Sequence, residues 1–321
     1  MKPNSSIDFK IFFVFIAVLA VPALITLSTI DVSQNKIVPV ENSSPLGYTW
    51  SLSLFIVPIL AIVAWLHLRH KKIIIQKAFW ISLLFLIPLG FILDLFFGLS
   101  FFTFKNQGAV LGIYLPGLDI AQWKWLPELP IEEFVFYVTG FIAVLSIYLW
   151  CDEYWLAAYN IPDYYQESKS VDKLVLFHPQ SIVIGILLVI AATLYKNLVP
   201  GPDQGGFPGY FAFLVAASFI PSAAFFRSTQ RFINWRAFSS TFFFVLLISL
   251  IWEATLAAPY QWWGYNDRQM IGITVDAWVG LPVEAVLVWM AVTFTTVIGY
   301  ETIKIILHKD TALKHALFGK Q

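Results

Sequence analysis

Charge is the first thing this sequence is short of. Only 12% of its 321 residues are Asp, Glu, Lys or Arg, against about 25% in an ordinary soluble protein. Its 20 acidic and 20 basic residues cancel, so there is no basic surface of the kind that recruits nucleic acid. Cysteine is nearly missing too. The single Cys151 closes no intramolecular disulfide and supplies no iron–sulfur or multi-cysteine metal centre. The 5 histidines (His67, His70, His178, His308 and His315) are too few for a di-iron membrane hydroxylase. The one close pair, His67 and His70, reads as polar tips at a membrane interface. No Asp-rich diphosphate-binding motif occurs, which argues against a prenyltransferase. A retinal protein needs a lysine in the middle of a late apolar run, and Lys304 stands too near a run's end. Neither a metal nor a cofactor is expected.

What the sequence has instead is apolar mass. It is 59% hydrophobic, with 30 Phe, 13 Trp and 13 Tyr, and its mean hydropathy is +0.74. A soluble chain of this size has no core large enough to hide that surface. A soluble enzyme, a disordered chain and a disulfide scaffold are therefore excluded, and a polytopic membrane protein remains. Eight runs of about 20 residues are long enough to cross ~30 Å of hydrocarbon: roughly 9–30, 50–69, 78–98, 131–151, 179–196, 207–226, 237–258 and 281–306. The first resembles a signal peptide but is too long and lacks a small-residue cleavage site close behind it, so it is expected to be retained. With the N-terminus in the cytoplasm, only Lys36, Lys105, Lys124, Lys196 and Arg268 fall on the outer side, and the other Lys and Arg face the cytoplasm. That bias predicts cytoplasmic termini at both ends.

The sequence also repeats itself. A basic turn from Arg69 to Lys72 precedes the third run, and another from Arg227 to Arg236 precedes the seventh. The third run ends near Asp94 and the seventh near Glu253. Leu111-Gly112-Ile113 is matched by Ile271-Gly272-Ile273, and Leu129-Pro130-Ile131-Glu132 by Leu281-Pro282-Val283-Glu284. The expected fold class is an all-α polytopic bundle of about eight transmembrane helices in two tandem repeats of four. The repeats would occupy residues 1–155 and 179–321, joined by a cytoplasmic linker at 156–178.

Ionisable groups within spans are costly and mark function by default. Asp94, Glu132, Glu133, Glu253 and Glu284 all fall at helix ends on the predicted outer side. Read singly, each Glu after a Pro is a helix cap that favours the positive end of the dipole. Read together, they form a cluster with no Lys or Arg at the same depth, Arg268 being the nearest in sequence. A carboxyl desolvated without a counter-charge favours its neutral, proton-bearing form. Aromatic residues crowd the same end, among them Phe96, Phe97, Phe101, Phe102, Phe104, Trp123, Trp125, Tyr260, Trp262, Trp263, Tyr265 and Trp278. They read either as an interfacial belt or as ring faces that stabilise a cation. A proton donor, cation-stabilising rings and an apolar cavity suit acid-initiated chemistry on a bilayer-dissolved polyene.

Trp252-Glu253, Trp262-Trp263-Gly264-Tyr265-Asn266-Asp267-Arg268, Ile271-Gly272-Ile273 and Leu281-Pro282-Val283-Glu284, in that order, resemble the membrane-embedded lycopene cyclase domain family. Leu129-Pro130-Ile131-Glu132-Glu133-Phe134-Val135-Phe136-Tyr137 resembles its Pro-x-Glu-Glu signature followed by aromatics. The family occurs as two small subunits or as fused double domains, and this chain resembles the fused form over most of its length. It departs from the family in lacking a Trp-x-Tyr block between Asp94 and Gly112, in having Ala285 where a second acid is usual, and in an extra leading span in each half. The resemblance implies an intramolecular lyase or isomerase that closes the ψ-ends of lycopene into β-ionone rings without cofactor. It implies Glu132 and Glu133 as the acid–base pair, with Glu284 and Glu253 as partners from the second half and Asp94 as a proton relay. Trp263 and Tyr265 would stabilise the cation, with Phe136, Tyr137 and Trp252 against the substrate. The two halves would form one composite site, or one half would be structural. On this reading Glu132→Gln abolishes ring closure. The partners would be lycopene or a related carotenoid, membrane lipid, and other enzymes of the carotenoid pathway. The absence of Gly-x-Gly-x-x-Gly after a strand argues against flavin-dependent cyclase chemistry. Two other readings stay open: a proton-coupled transporter with the carboxyls as its proton sites, and a non-catalytic carotenoid-binding membrane protein.

Overall fold

The structure, a computed structural model, describes residues 45–69, 73–199, 205–309 and 311–319, with seven isolated positions between 10 and 25. The predicted first span lies outside the described residues apart from those positions, as do residues 70–72 of the first basic turn. The described chain is mostly helical, and 7 of its helices are long and apolar enough to cross a membrane. They are α1 (Gly47–Leu68), α2 (Ile73–Phe101), α3 (Ile131–Trp155), α5 (Pro179–Leu198), α6 (Gly209–Thr229), α7 (Trp235–Ala257) and α8 (Glu284–Lys309). Each falls within a few residues of a predicted run. Two short helices, α4 (Tyr164–Lys169) and α9 (Leu313–Phe318), complete the helical elements. These are the features of a multi-pass membrane protein.

Local sequence sets the helix limits. Pro179 opens α5, where its missing N–H is no loss. Asn234 caps α7 by accepting the Ala237 N–H at 3.2 Å. The long helices show no polar stripe, because lipid rather than water meets their outer faces. Leu84 and Phe85 on α2 are 70% and 67% exposed. The most buried of the seven are α8 and α3. These two touch each other, and both also pack on α2 and α7. On the outside of this group α1 lies against α3, α6 against α8, and α5 against α6.

At the end where α2 stops and α3 and α8 start, short strands close the bundle. β1 (Phe102–Thr103) pairs antiparallel with β4 (Gly264–Tyr265). β2 (Tyr114–Asp119) and β3 (Lys124–Pro130) form a hairpin with a bulge, and β5 (Thr274–Val275) pairs with β6 (Leu281–Pro282). Two asparagine side chains stitch these segments together. The Asn106 amide donates to the Tyr260 carbonyl at 3.2 Å, and the Asn266 amide to the Ser100 carbonyl at 2.8 Å.

The opposite end is locked by charge. Lys304 of α8 lies 3.5 Å from Asp152, 3.6 Å from Glu153 and 3.9 Å from Glu301. Glu301 also accepts the hydroxyls of Tyr148, at 3.0 Å, and Tyr164, at 2.6 Å. One cation and three hydrogen-bonded acids thus join α3, α4 and α8 in a buried knot. Replacing Lys304 by Met strands those acids without a counter-ion. It is expected to destabilise the fold by about 3–5 kcal/mol, measured as a shift in the unfolding midpoint of the detergent-solubilised protein.

Candidate active site

Pro130 ends β3, and α3 begins at once with Ile131-Glu132-Glu133. Consecutive helical residues point about 100° apart, so the two glutamates cannot face the same way. Glu132 turns to the loops. One of its carboxylate oxygens accepts the Thr49 hydroxyl at 2.5 Å and the Leu111 N–H at 2.8 Å. Glu284, in the first turn of α8, likewise accepts the Ile271 N–H at 2.6 Å. Both N–H donors precede a glycine in the left-handed region, Gly112 at φ +75° and Gly272 at φ +93°, a conformation that penalises a side chain. The residue after each glycine then accepts a backbone N–H from the start of the helix: Ile113 from Ile131 and Ile273 from Val283, each at 2.9 Å. Glu132 and Glu284 therefore each fasten a glycine turn over a helix start.

Glu133 and Glu253 go elsewhere. Both line a cavity of about 610 Å³, counting the open space at its mouth, between α1, α3, α6, α7, α8 and the β1 and β4 segments. Tyr48 donates to one carboxyl oxygen of Glu133 at 2.6 Å. Glu253 accepts the Ser249 hydroxyl at 2.9 Å and the Tyr265 hydroxyl at 3.0 Å, one on each oxygen. It stands where α7 widens into a π-helical turn, with the Ala258 N–H bonded five residues back to the Glu253 carbonyl. Such turns re-aim side chains and are frequent at functional sites. Burial, and then the Glu253 carboxyl beside it, hold the Tyr265 hydroxyl well above the ordinary phenol range. Tyr265 therefore keeps its proton and stays a donor.

Rings make up most of the rest of the wall. Trp263, Tyr265, Phe136 and Tyr137 all line the cavity. Trp263 meets Tyr265 at 5.3 Å and 69°. Trp252 does not line it but stacks behind Phe136 at 5.5 Å and 19°, and touches Trp263 at 5.7 Å. Asp94 is 1% exposed and set against Gly98 on its own helix, with the Tyr137 hydroxyl facing it. Among the described residues no Lys or Arg forms an ion pair with Asp94, Glu132, Glu133, Glu253 or Glu284. The partners of the four glutamates are hydroxyls and backbone N–H groups, and both Asp94 oxygens are buried without a hydrogen bond. No group of three or more His, Cys, Asp or Glu among the described residues is arranged to hold a metal ion.

The structure thus brings together Glu133, Glu253, Trp263, Tyr265, Phe136 and Tyr137 in one cavity. It sets Trp252 and Asp94 in its supporting layer and directs Glu132 and Glu284 to the loops. Among the wall residues that had not been singled out for the site are Tyr48, Tyr210, Gly140 and Trp289. A signal for two of them was in the sequence. Gly47-Tyr48 opens α1 and Gly209-Tyr210 opens α6, at nearly the spacing that separates Asp94 from Glu253. No family model, curated protein or solved structure matches this chain, so the site is read from its own residues.

Removing the Glu284 carboxyl tests the loop assignment. In Glu284→Ala the Ile271 N–H loses a charge-assisted partner worth about 1.5–3 kcal/mol. Amide hydrogen exchange should accelerate at least tenfold over residues 268–273 and stay unchanged at the Lys304 end.

Proposed function

We propose that this protein is a carotenoid cyclase of the bilayer, closing the ψ-ends of lycopene into β-ionone rings by proton addition and proton loss. The observation that carries the reading is the cavity: two carboxyls from different helices, no cation beside them, and walls of aromatic rings. Every redox-neutral cyclisation needs a proton put on and a proton taken off, with water kept away from the cation in between.

The chemistry divides between the two carboxyls. Glu133, which lines the cavity with one oxygen held by Tyr48, donates a proton to C2 of the terminal C1=C2 bond. The C1 cation is attacked by C5=C6, so the C1–C6 bond forms and the charge moves to C5. Glu253 is held as an acceptor by Ser249 and Tyr265, and it removes the C6 proton as C5=C6 is restored. No atom is gained or lost overall. The faces of Trp263, Tyr265 and Phe136 stabilise the passing cation. Asp94, facing Tyr137, returns the proton between turnovers.

The same reading makes the molecule two tandem repeats of four spans with both termini cytoplasmic. Three features support it. The Gly112 and Gly272 turns carry the same hydrogen bonds, the asparagine pair Asn106 and Asn266 reaches reciprocally across, and the first hairpin is simply the longer of two equivalent ones. The reading makes the site composite: Glu133 on α3 comes from the first half and Glu253 on α7 from the second, while their repeat counterparts, Ala285 and Asp94, do not line the cavity. The gathering of the uncompensated acids at one end favours a cyclase over a transporter, whose proton sites run through mid-membrane.

Expression in lycopene-accumulating bacteria, read by chromatography with absorption spectra, tests this. The expected product is γ- or β-carotene. Glu133→Gln and Glu253→Gln should each lower it by 10² or more, the usual scale of a lost general acid or base. Glu132→Gln, whose amide carbonyl still accepts the Leu111 N–H, should keep most of it. Unchanged lycopene with the wild-type protein in the membrane overturns the proposal.

A further inference from the structure

A second, larger space opens beside the acid cavity. It is a groove of about 1240 Å³ between α2, α3, α6 and α8. On α2 its lining runs from Leu86 to Phe101, which at 1.5 Å per residue is ~22 Å along the helix. On α6 it runs from Tyr210 to Pro221, or ~16 Å. It is therefore a long slot parallel to the helices, reaching over half of the ~30 Å hydrocarbon thickness. Its polar groups are few. The Thr295 hydroxyl is already bonded to the Ala217 carbonyl at 2.6 Å, and Tyr137 and Tyr210 stand only at the end next to the acids. Nothing along the slot would hold a headgroup. Small residues, Gly90, Ala216, Ala217 and Ala291, keep it open between flat walls. Phe97 and Phe101 stack nearly parallel, 5.7 Å apart and 6° inclined. Ile220 at its flank is 62% exposed, on the face that meets lipid.

The slot abuts the acid cavity. Phe102, Tyr137, Phe141, Tyr210, Val288 and Val292 line both and form the neck between the two spaces.

We infer that the groove is the binding site for the body of a linear isoprenoid hydrocarbon, entered sideways from the bilayer between α2 and α6. The reacting end passes the neck and the far end remains in the slot or the lipid. This rests on the cyclase reading and adds to it an order of events. Glu133 and Glu253 share a single cavity, so the two ends of a symmetric polyene react one at a time. A singly closed product must leave and turn round before its second end can enter.

Binding and turnover separate the two readings. Lycopene added to the full-length protein in phosphatidylcholine vesicles should quench its tryptophan fluorescence saturably, because Trp263, Trp252 and Trp289 surround the cavity. Ala217→Phe, which fills the slot, and the milder Ala216→Leu should each raise the half-saturating lycopene at least tenfold. Val138→Phe, in a separate apolar hollow on the other side of α3, should leave it unchanged, and it also controls for general damage from added bulk. Pulse-labelled lycopene should appear first in free γ-carotene that unlabelled lycopene dilutes. Loss of ring closure with groove-dependent quenching intact would sink the cyclase reading and support the groove. The inference fails if the wild type shows no saturable quenching, if Ala217→Phe quenches like the wild type (leaving the slot to ordinary acyl chains), or if Val138→Phe weakens binding equally. A doubly closed product with no free singly closed one overturns the order of events.

Discussion

A carboxyl group set among apolar helices has to find its partners inside the protein, because the bilayer supplies none. This molecule meets that demand in two ways, and the rest of its architecture follows from them. At one end Asp152, Glu153 and Glu301 surround Lys304, and charge is cancelled by charge. At the other end hydroxyls and backbone N–H groups meet Glu132, Glu133 and Glu253, and the buried Lys196 ammonium beside the Glu284 turn is spent on the Arg268 and Met270 carbonyls. The first arrangement holds helices together. The second leaves carboxyl groups able to pass a proton, since a hydroxyl partner tolerates either state where a fixed ammonium favours only the anion.

The helices were legible because a membrane span imposes a length and a composition that a single sequence displays. The acid-bearing ends were legible for the same reason, carboxyls being rare in so apolar a chain. Which way each acid faces was not. Glu132 and Glu133 are neighbours in sequence, and only the rotation of α3 relative to its surroundings sends one to a loop and the other to a cavity. The hairpin of β2 and β3 was also hidden. Its strands are short and rich in Pro and Gly, and their pairing depends on the helix ends that bracket them. Tyr48 shows in the sequence only as half of a repeated Gly-Tyr pair, and its value comes from a contact 85 residues away along the chain. The groove could not be read at all, since it is made of what four helices leave unfilled.

The site and the groove depend on small local choices. Gly90 lies where an added Cβ would come within 2.9 Å of the Phe141 ring, and Phe141 belongs to the neck. Gly47 lies under Trp262, within 2.6 Å of where a Cβ would sit. The next residue is Tyr48, which holds Glu133. Close backbone approach at these two places sets how far the aromatic wall stands from the carboxyls.

The residues before 156 meet those after 178 along the helices, where α2 and α3 pack on α8 and α3 on α7, and again at both helix ends. Lys304 meets Asp152 at one end. At the other, β1 pairs with β4, and Asn106 and Asn266 reach across in opposite directions. A chain stapled at both ends and packed along the helices between them has no part that can loosen by itself, and it should give way all at once rather than piece by piece.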